Sequence, residues 1–564
     1  MTQSKTSLEN VPVKYSDLIS DIETGQVKIP QFQRKFVWGI KASAKLLDSI
    51  LKKYPIGTFI YWRTNERLRS VRNLGSIELP DPTHGEYVNY VLDGQQRLTS
   101  LYAAMKGVQI RDENNKLLDY SEIYIDLTAS EGDEIVITEI EGKGEFDIIR
   151  LTDLMEGDFM LLAKYPRERH SILKRYKEAI QSYNFSVINL KNAPIDVATE
   201  VFTRLNVGGK ALTLFEIMVA KTYHIFDLEE GEEQQKVFDL AEKYEALTNE
   251  LKACHYETVP SATILQVVAI LLEKDCTRKS ILKLDKMRFI EIWEDATECI
   301  KSSIDFFRSY GIAVGRILPY NALIVPFAYF FHRHKKNPSG EMKKRLEDFF
   351  WRASLGFRYS SGVESKLAKD IEKIDKIITG ELPKYEWSVT VNEEFVEGNG
   401  HFSTGKSFIK AILCLYAKQK PKSFDNNLDV IIDNSWLKIA SSRNYHHFFP
   451  KSWMEKNSDS DYFFVNHIVN ITIVDGYLNK NTIRAKAPAK YMTVFADKNP
   501  ELASTMKTHF IDIEEDGIWE NDFAKFFDNR LSRITKALDA FIIKQEQDAE
   551  ELEVYEDVEE TEEA

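Results

Sequence analysis

The chain has 564 residues, of which 43% are hydrophobic and 12% aromatic, and a formal net charge of -14 at pH 7. That length exceeds a single core and that apolar content excludes a disordered polymer, so about three folded domains of roughly 100–200 residues are expected. The charge does not exclude nucleic acid as a partner, because 11 Asp/Glu and no Lys/Arg fall between Glu546 and Ala564, leaving the body near neutral.

In chain order, the opening MTQSKTSLEN lacks the basic-then-apolar layout of a signal peptide. Residues 1 to about 125 mix strand-like runs, Thr58 to Arg63 and Tyr87 to Leu92, with a helical stretch from Ala42 to Lys53 whose Leu46, Leu47, Ile50 and Leu51 recur at helical spacing. Residues 120–150 alternate apolar positions with glycine breaks and predict short strands. From about 160 to 380 the patterns are helical almost throughout, for instance Ile264 to Glu273 and Met342 to Ser354, which implies a connecting helical region. The most apolar stretch, Ile317 to Phe331, is broken by Pro319, Asn321 and Pro326 and falls short of the ~20 residues needed to span a bilayer. Cys254, Cys276, Cys299 and Cys414 form no C-x-x-C pair and suit a reducing interior, so a soluble cytoplasmic protein without a membrane partner is expected.

A proline and glycine cluster at 379–402 marks a boundary, and the last domain runs to about Lys544. The expected domains are 1–220, 221–395 and 396–545, followed by an acidic tail at 546–564. That tail reads as a solvated, disordered end, with a DNA-mimicking or autoinhibitory strip as the alternative.

Three motifs carry chemistry. The first, YVLDGQQRLTSLYAAMKG at 90–107, predicts a strand over Tyr90 to Leu92, a turn at Asp93-Gly94 and a helix from near Gln95. Such a turn offers backbone N–H groups to an anion, Gly94 permits close approach and Arg97 adds charge. Gln33 and Arg34 of IPQFQRKFVW could converge there; the plainer alternative is that Asp93 and Arg97 only cap and pin the helix.

The second, GHFSTGKS from Gly400 to Ser407, fits the letters of a phosphate-binding loop. Its approach, VNEEFVEGN, is acidic and broken by Gly398 and Asn399, so it reads as a loop capping the first helix of the last domain.

The third pairs NYHHFFPKSW at 444–453 with NHIVNITIVDGYLNKNTIRAKAP at 466–488. His446 and His447 suit a short strand entering a loop, Asn470 precedes the strand-like Ile471 to Val474, and Asn479 precedes a helix from about Lys480. Strand, loop, strand and helix carrying His and Asn would form a ββα pocket for one divalent ion. Two carboxylate-free windows, with Lys438, Arg443 and Lys451 in one and Lys480, Arg484, Lys486 and Lys490 in the other, suggest a phosphate-binding surface around the double histidine. Two histidines satisfied beside aromatic packing would be the structural alternative.

The HHFFPKS…N…N layout resembles the HNH nucleases at the C-terminus of GmrSD-type restriction proteins, over roughly residues 400–545. The resemblance implies a metal ligand at His446, a general base at His447, Asn470 orienting the base and holding the loop, and Asn479 completing a site for Mg²⁺ or another divalent metal. Within the two basic windows, Arg443, Lys451, Lys480, Arg484 and Lys486 are the positions expected to contact DNA.

The DGQQR stretch resembles the ParB/sulfiredoxin-like N-terminal domain of the same family, as does VFTRLNVGGKALTLFEI at 201–217, with Arg204, Asn206, Gly208 and Gly209. This implies binding of GTP or another NTP by Gln33, Arg34, Asp93, Gly94, Gln95, Gln96, Arg97, Arg204 and Asn206, the arginines facing phosphates and Asp93 or Gln95 positioning Mg²⁺ or water.

The implied architecture is α+β multidomain: a ParB/sulfiredoxin-like domain, a central helical region and a ββα-metal HNH domain. The implied activity is nucleotide-dependent type IV restriction of modified phage double-stranded DNA, with a homo-oligomer allowed. Its rivals are a ParB-like DNA-binding regulator with a relict HNH fold, and an HNH nickase or toxin indifferent to modification.

Overall fold

The computed structural model describes residues 6–549 except 31–37, 67, 69–72, 75–76, 79, 81–85, 112–115, 131, 206–212, 227–235, 433–444, 475–477 and 479–481. These form two compact units, Met1–Leu240 and Ala241–Ala564.

The first unit is built on a five-stranded sheet. Its elements are β1 (Ser7–Lys14), α1 (Tyr15–Glu23), β2 (Val27–Lys28), α2 (Ile40–Leu51), β3 (Thr58–Thr64), β4 (Val88–Asp93) and α3 (Gln95–Lys106). A small sheet of β5 (Tyr124–Asp126), β6 (Val136–Ile137) and β7 (Ile148–Arg150) follows, where short strands were expected. Then come α4 (Arg167–Gln181), β8 (Asn184–Lys191), α5 (Ile195–Leu205) and α6 (Leu214–Thr222).

The large sheet runs β1-β8-β3-β4-β2. β8 is antiparallel to β1 along its whole length and parallel to β3, so it knits the two together. The expectation of near-continuous helix from 160 is corrected here. In β8, Phe185 and Val187 point into the core while Asn184 and Ser186 point away, the period-2 alternation of a strand. α2 and α3 cover the sheet through Leu47, Ile50, Leu98 and Leu101, which pack with Phe59, Val91 and Val187.

The second unit is mainly helical: α7 (Ser261–Glu273), α8 (Lys286–Ser309), α9 (Ile324–His334), α10 (Gly340–Leu355), α11 (Val363–Thr379) and α12 (Ser407–Lys418). Its last part holds β9 (Tyr445–His447), α13 (Lys451–Asn457), β10 (Ile471–Ile473), α14 (Pro488–Ala496) and α15 (Phe523–Asp539). The apolar stretch 317–331 becomes two short turns and the first part of α9, which is buried from Ile324 to Phe331, and among the described residues no helix is long and apolar enough to cross a membrane.

Contacts among the described residues cross the boundary expected at 395. The Cys414 Sγ lies 2.9 Å from the Ile317 carbonyl, the Tyr320 and Ser407 hydroxyls are 2.7 Å apart, and Trp351 stacks on Phe541 at 4.9 Å. Helical region and last segment therefore share one core.

Glu546–Ala549, at the start of the expected acidic tail, forms a short helical turn. The Asp548 carboxylate accepts from Arg352 at 2.8 and 2.5 Å and from the Val389 N–H at 3.0 Å. Arg352 is fully buried and pairs with Asp348 as well, at 3.0 Å, so Asp548 helps neutralise a charge that could not otherwise sit in the core. Residues 550–564 lie outside the described ones.

Candidate functional site

The strand-to-helix turn expected at 90–97 forms as read: β4 ends at Asp93, Gly94 adopts a left-handed φ of 96°, and α3 begins at Gln95. Gln95 and Gln96 are buried at the helix start. Arg97 turns inward. Its Nη1 donates to the Ile56 carbonyl at 2.8 Å, and its Nη2 donates to the Thr58 carbonyl at 3.1 Å and to Asp93 Oδ2 at 3.0 Å. The guanidinium lies 5.3 Å from the centre of the Phe59 ring.

Two glycines make room for it. A Cβ at Gly57, whose φ is 89°, would overlap the guanidinium, and one at Gly94 would overlap Phe59. Arg97 thus fastens the start of α3 to the start of β3, while the helix N-terminus keeps its anion-favouring dipole. Arg204 lies near the end of α5 with its side chain exposed, paired with Glu200 at 2.6 Å. Gln33, Arg34 and Asn206 lie outside the described residues.

In the second unit β9 and β10 pair antiparallel, with His446 opposite Thr472 and His447 opposite Ile471, and α14 follows. Adjacent strand residues face opposite ways, so the two imidazoles diverge. His446 is buried, its ring edge-on to Tyr491 at 6.0 Å. His447 is half-buried, with Nε2 3.1 Å from Asn466 Oδ1. Burial pushes its pKa down to about 4, the Lys451 charge adding to the effect against the Asn466 bond. The imidazole is therefore neutral at pH 7 and able to accept a proton.

Asn470 does one of its two expected tasks. Its Oδ1 accepts from the Phe449 N–H at 2.8 Å, and its Nδ2 donates to the Phe449 and Val465 carbonyls at 3.0 and 2.9 Å. It holds the loop after the histidines. Contact with the expected base falls to Asn466, four residues earlier in the same motif, which sequence reading passed over. Asn479, Arg443 and Lys480 lie outside the described residues. Of the remaining basic positions, Lys451 donates to the Tyr462 hydroxyl at 3.0 Å, Lys486 donates to the Thr482 carbonyl at 2.7 Å, and Arg484 is exposed.

The Gly400–Ser407 segment follows a helix, Glu393–Asn399, where a phosphate loop would need a strand. A Cβ at Gly400 would overlap the His467 imidazole, which accounts for the glycine by packing. His467 is fully buried: Nδ1 accepts from the Val469 N–H at 3.1 Å and Nε2 faces the Glu397 carbonyl at 2.9 Å. His401 bridges to His467 through the backbone and stacks on Phe463 at 5.7 Å.

A divalent metal has one described donor among those expected at this site, His446. An imidazole and an amide oxygen form a neutral, incomplete donor set that suits a water-rich ion. Elsewhere in this unit Asp295, Cys299 and His332 bring ligand atoms within 4.8 Å of one another and could also hold a metal. There Asp295 already pairs with His332 and Lys335, and burial pushes the Cys299 thiol up to about 11, so both the cation's place and the thiolate are compromised.

Residues 15–223 match the family model described as the GmrSD restriction endonuclease, N-terminal domain. An uncharacterized protein of Methanocaldococcus jannaschii is 24% identical, the alignment covering 88% of this chain and 91% of that relative.

Proposed function

We propose, from the premise that residues 15–223 are a GmrSD restriction endonuclease N-terminal domain, that this chain is a type IV restriction endonuclease with an HNH site in its second unit. The observation that carries the reading is the antiparallel β9–β10 pair, with His447 half-buried against Asn466 and its loop fastened by Asn470. His447 takes the proton of the attacking water, for which its neutral imidazole is ready at pH 7. His446, with Asn479, would hold Mg²⁺ or another divalent ion, which when bound stabilises charge on the scissile phosphate and leaving oxygen. Lys451, Arg484 and Lys486, with Arg443 and Lys480, contact the phosphates of double-stranded DNA.

The Asp93–Arg97 turn binds GTP or another NTP, with α3's N-terminal N–H groups toward the phosphates and Gln33, Arg34, Arg204 and Asn206 completing the site. Arg97 supports that turn from behind, through its bonds to Ile56 and Thr58. Nucleotide turnover governs cleavage, and the substrate is modified phage DNA met in the cytoplasm.

Incubation of modified and unmodified phage DNA with Mg²⁺, with and without NTP, tests the reading. Cleavage of modified DNA only, lost in His447→Ala while NTP hydrolysis persists, is expected. Equal cutting of host DNA would indicate an unselective nickase or toxin, and DNA binding without cleavage a regulator.

A further inference from the structure

Asn466 is buried, 8% exposed, and its amide touches three groups. Oδ1 lies 3.1 Å from His447 Nε2, while Nδ2 lies 3.3 Å from the Phe402 carbonyl and 3.4 Å from His401 Nε2. A carbonyl oxygen can only accept, so the amide edge facing Phe402 must be the NH₂. Oδ1 then faces His447, and an oxygen acceptor there requires the proton on His447 Nε2. Nδ1 is left as the basic nitrogen of that ring. His401 Nε2, facing the same NH₂, must in turn present its lone pair.

The main chain locks this arrangement: the Phe402 N–H donates to the Asn466 carbonyl at 2.8 Å, and the Asn466 N–H donates to the Tyr462 carbonyl at 2.9 Å. His401 is held by its bridge to His467 and its stacking on Phe463. Burial, with Lys406 and Lys451 nearby, lowers the His401 pKa, which favours the neutral ring the contact needs.

We infer that Asn466 and His401 are positioning residues for the nuclease site: His401 and Phe402 orient the Asn466 amide, and that amide fixes the His447 tautomer with Nδ1 as its base. The inference rests on the HNH reading for its catalytic meaning, but not for the tautomer. It also gives the GHFSTGKS segment a task, since His401 lies in it.

Two-bond ¹H–¹⁵N correlation on the full chain with ¹⁵N-histidine, the His447 signals assigned by their loss in His447→Ala, reads the tautomer without reference to activity. The expected result is Nε2–H in the wild type and a mixed or Nδ1–H ring in Asn466→Ala. An Nδ1–H ring in the wild type overturns the inference, whether or not DNA is cut.

In cleavage assays, Asn466→Ala should lower kcat by about 10²–10⁴-fold, the range for loss of general-base function, with KM nearly unchanged. His401→Ala should lower kcat less, and His401→Gln, whose side-chain oxygen can accept from Asn466, should restore most of it. Equal losses in His401→Ala and His401→Gln would refute the part given to His401. A wild type with the expected tautomer and no cleavage of any DNA refutes the nuclease reading and leaves the orienting chain standing.

Discussion

Replacing Asn470 by Ala separates its loop-holding work from base orientation. Its side chain satisfies three backbone groups in a site with no solvent exposure: the Phe449 N–H and the Phe449 and Val465 carbonyls. Each buried group left without a partner costs about 1–3 kcal/mol, and partial relaxation brings the sum toward the lower end, about 3 kcal/mol or somewhat more. At 1.4 kcal/mol per decade, that raises the population of the locally open loop about 100-fold. Hydrogen exchange on the full chain, read in peptides spanning Tyr445 to Ile473, should show this acceleration, while peptides over β1 and β8 in the other unit stay unchanged. Asn466→Ala should leave exchange in the Phe448–Pro450 loop much closer to wild type. Acceleration of Asn470→Ala by less than about 3-fold, or equal acceleration in both variants, would refute the assignment of the loop to Asn470.

Arg97→Ala removes the donor to two main-chain carbonyls and the partner of Asp93, so the first unit should lose about 2–4 kcal/mol. Calorimetry should show its transition shifting alone, and the nucleotide response should fall with it. Asp548→Ala strips a carboxylate from buried Arg352 and should lower the denaturation midpoint of the second unit, a loss of about 3–5 kcal/mol. Acid should weaken the second unit, because burial holds the pKa values of His467 and His509 down to about 4. As the pH falls below the ordinary 6.5, the unfolded chain takes up protons that the folded one refuses. Stability is thus present above about 6.5 and lost toward 4, by up to about 1.4 kcal/mol per pH unit for each ring. The urea midpoint should drop between pH 7 and pH 5, and drop less in His509→Gln; an unchanged midpoint would refute this.

The β4–Gly94–α3 turn was legible because every piece of it is local: an apolar run, a glycine and a helix-forming stretch. What Arg97 does was not, because two of its partners are main-chain carbonyls of Ile56 and Thr58, and no letter records where a carbonyl points. β8 was missed for a related reason. Its inward Phe185 and Val187 are few, helices flank it, and its register is decided by β1 and β3, far away in the chain. In the histidine motif both asparagines were in view. Which of them reaches His447 depends on the single turn at Ile468–Asn470, which carries Asn470 under the loop and leaves Asn466 beside the ring. The two paired strands were readable from their apolar spacing, whereas His401, some 45 positions before the histidine pair, joins through space alone.

The position of β8 has a consequence for how the protein is made. A ribosome adding about 5–20 residues per second releases β1 and β3 well before Asn184–Lys191, the strand that joins them, has been synthesised. For roughly six to twenty-five seconds the chain carries two unjoined strand edges, with Phe59, Tyr61 and Val13 lacking their final cover. The first unit should therefore depend on chaperones during translation more than its final packing suggests. Slow codons would do least harm well downstream of residue 191, once the bridging strand has cleared the exit tunnel and can close the sheet.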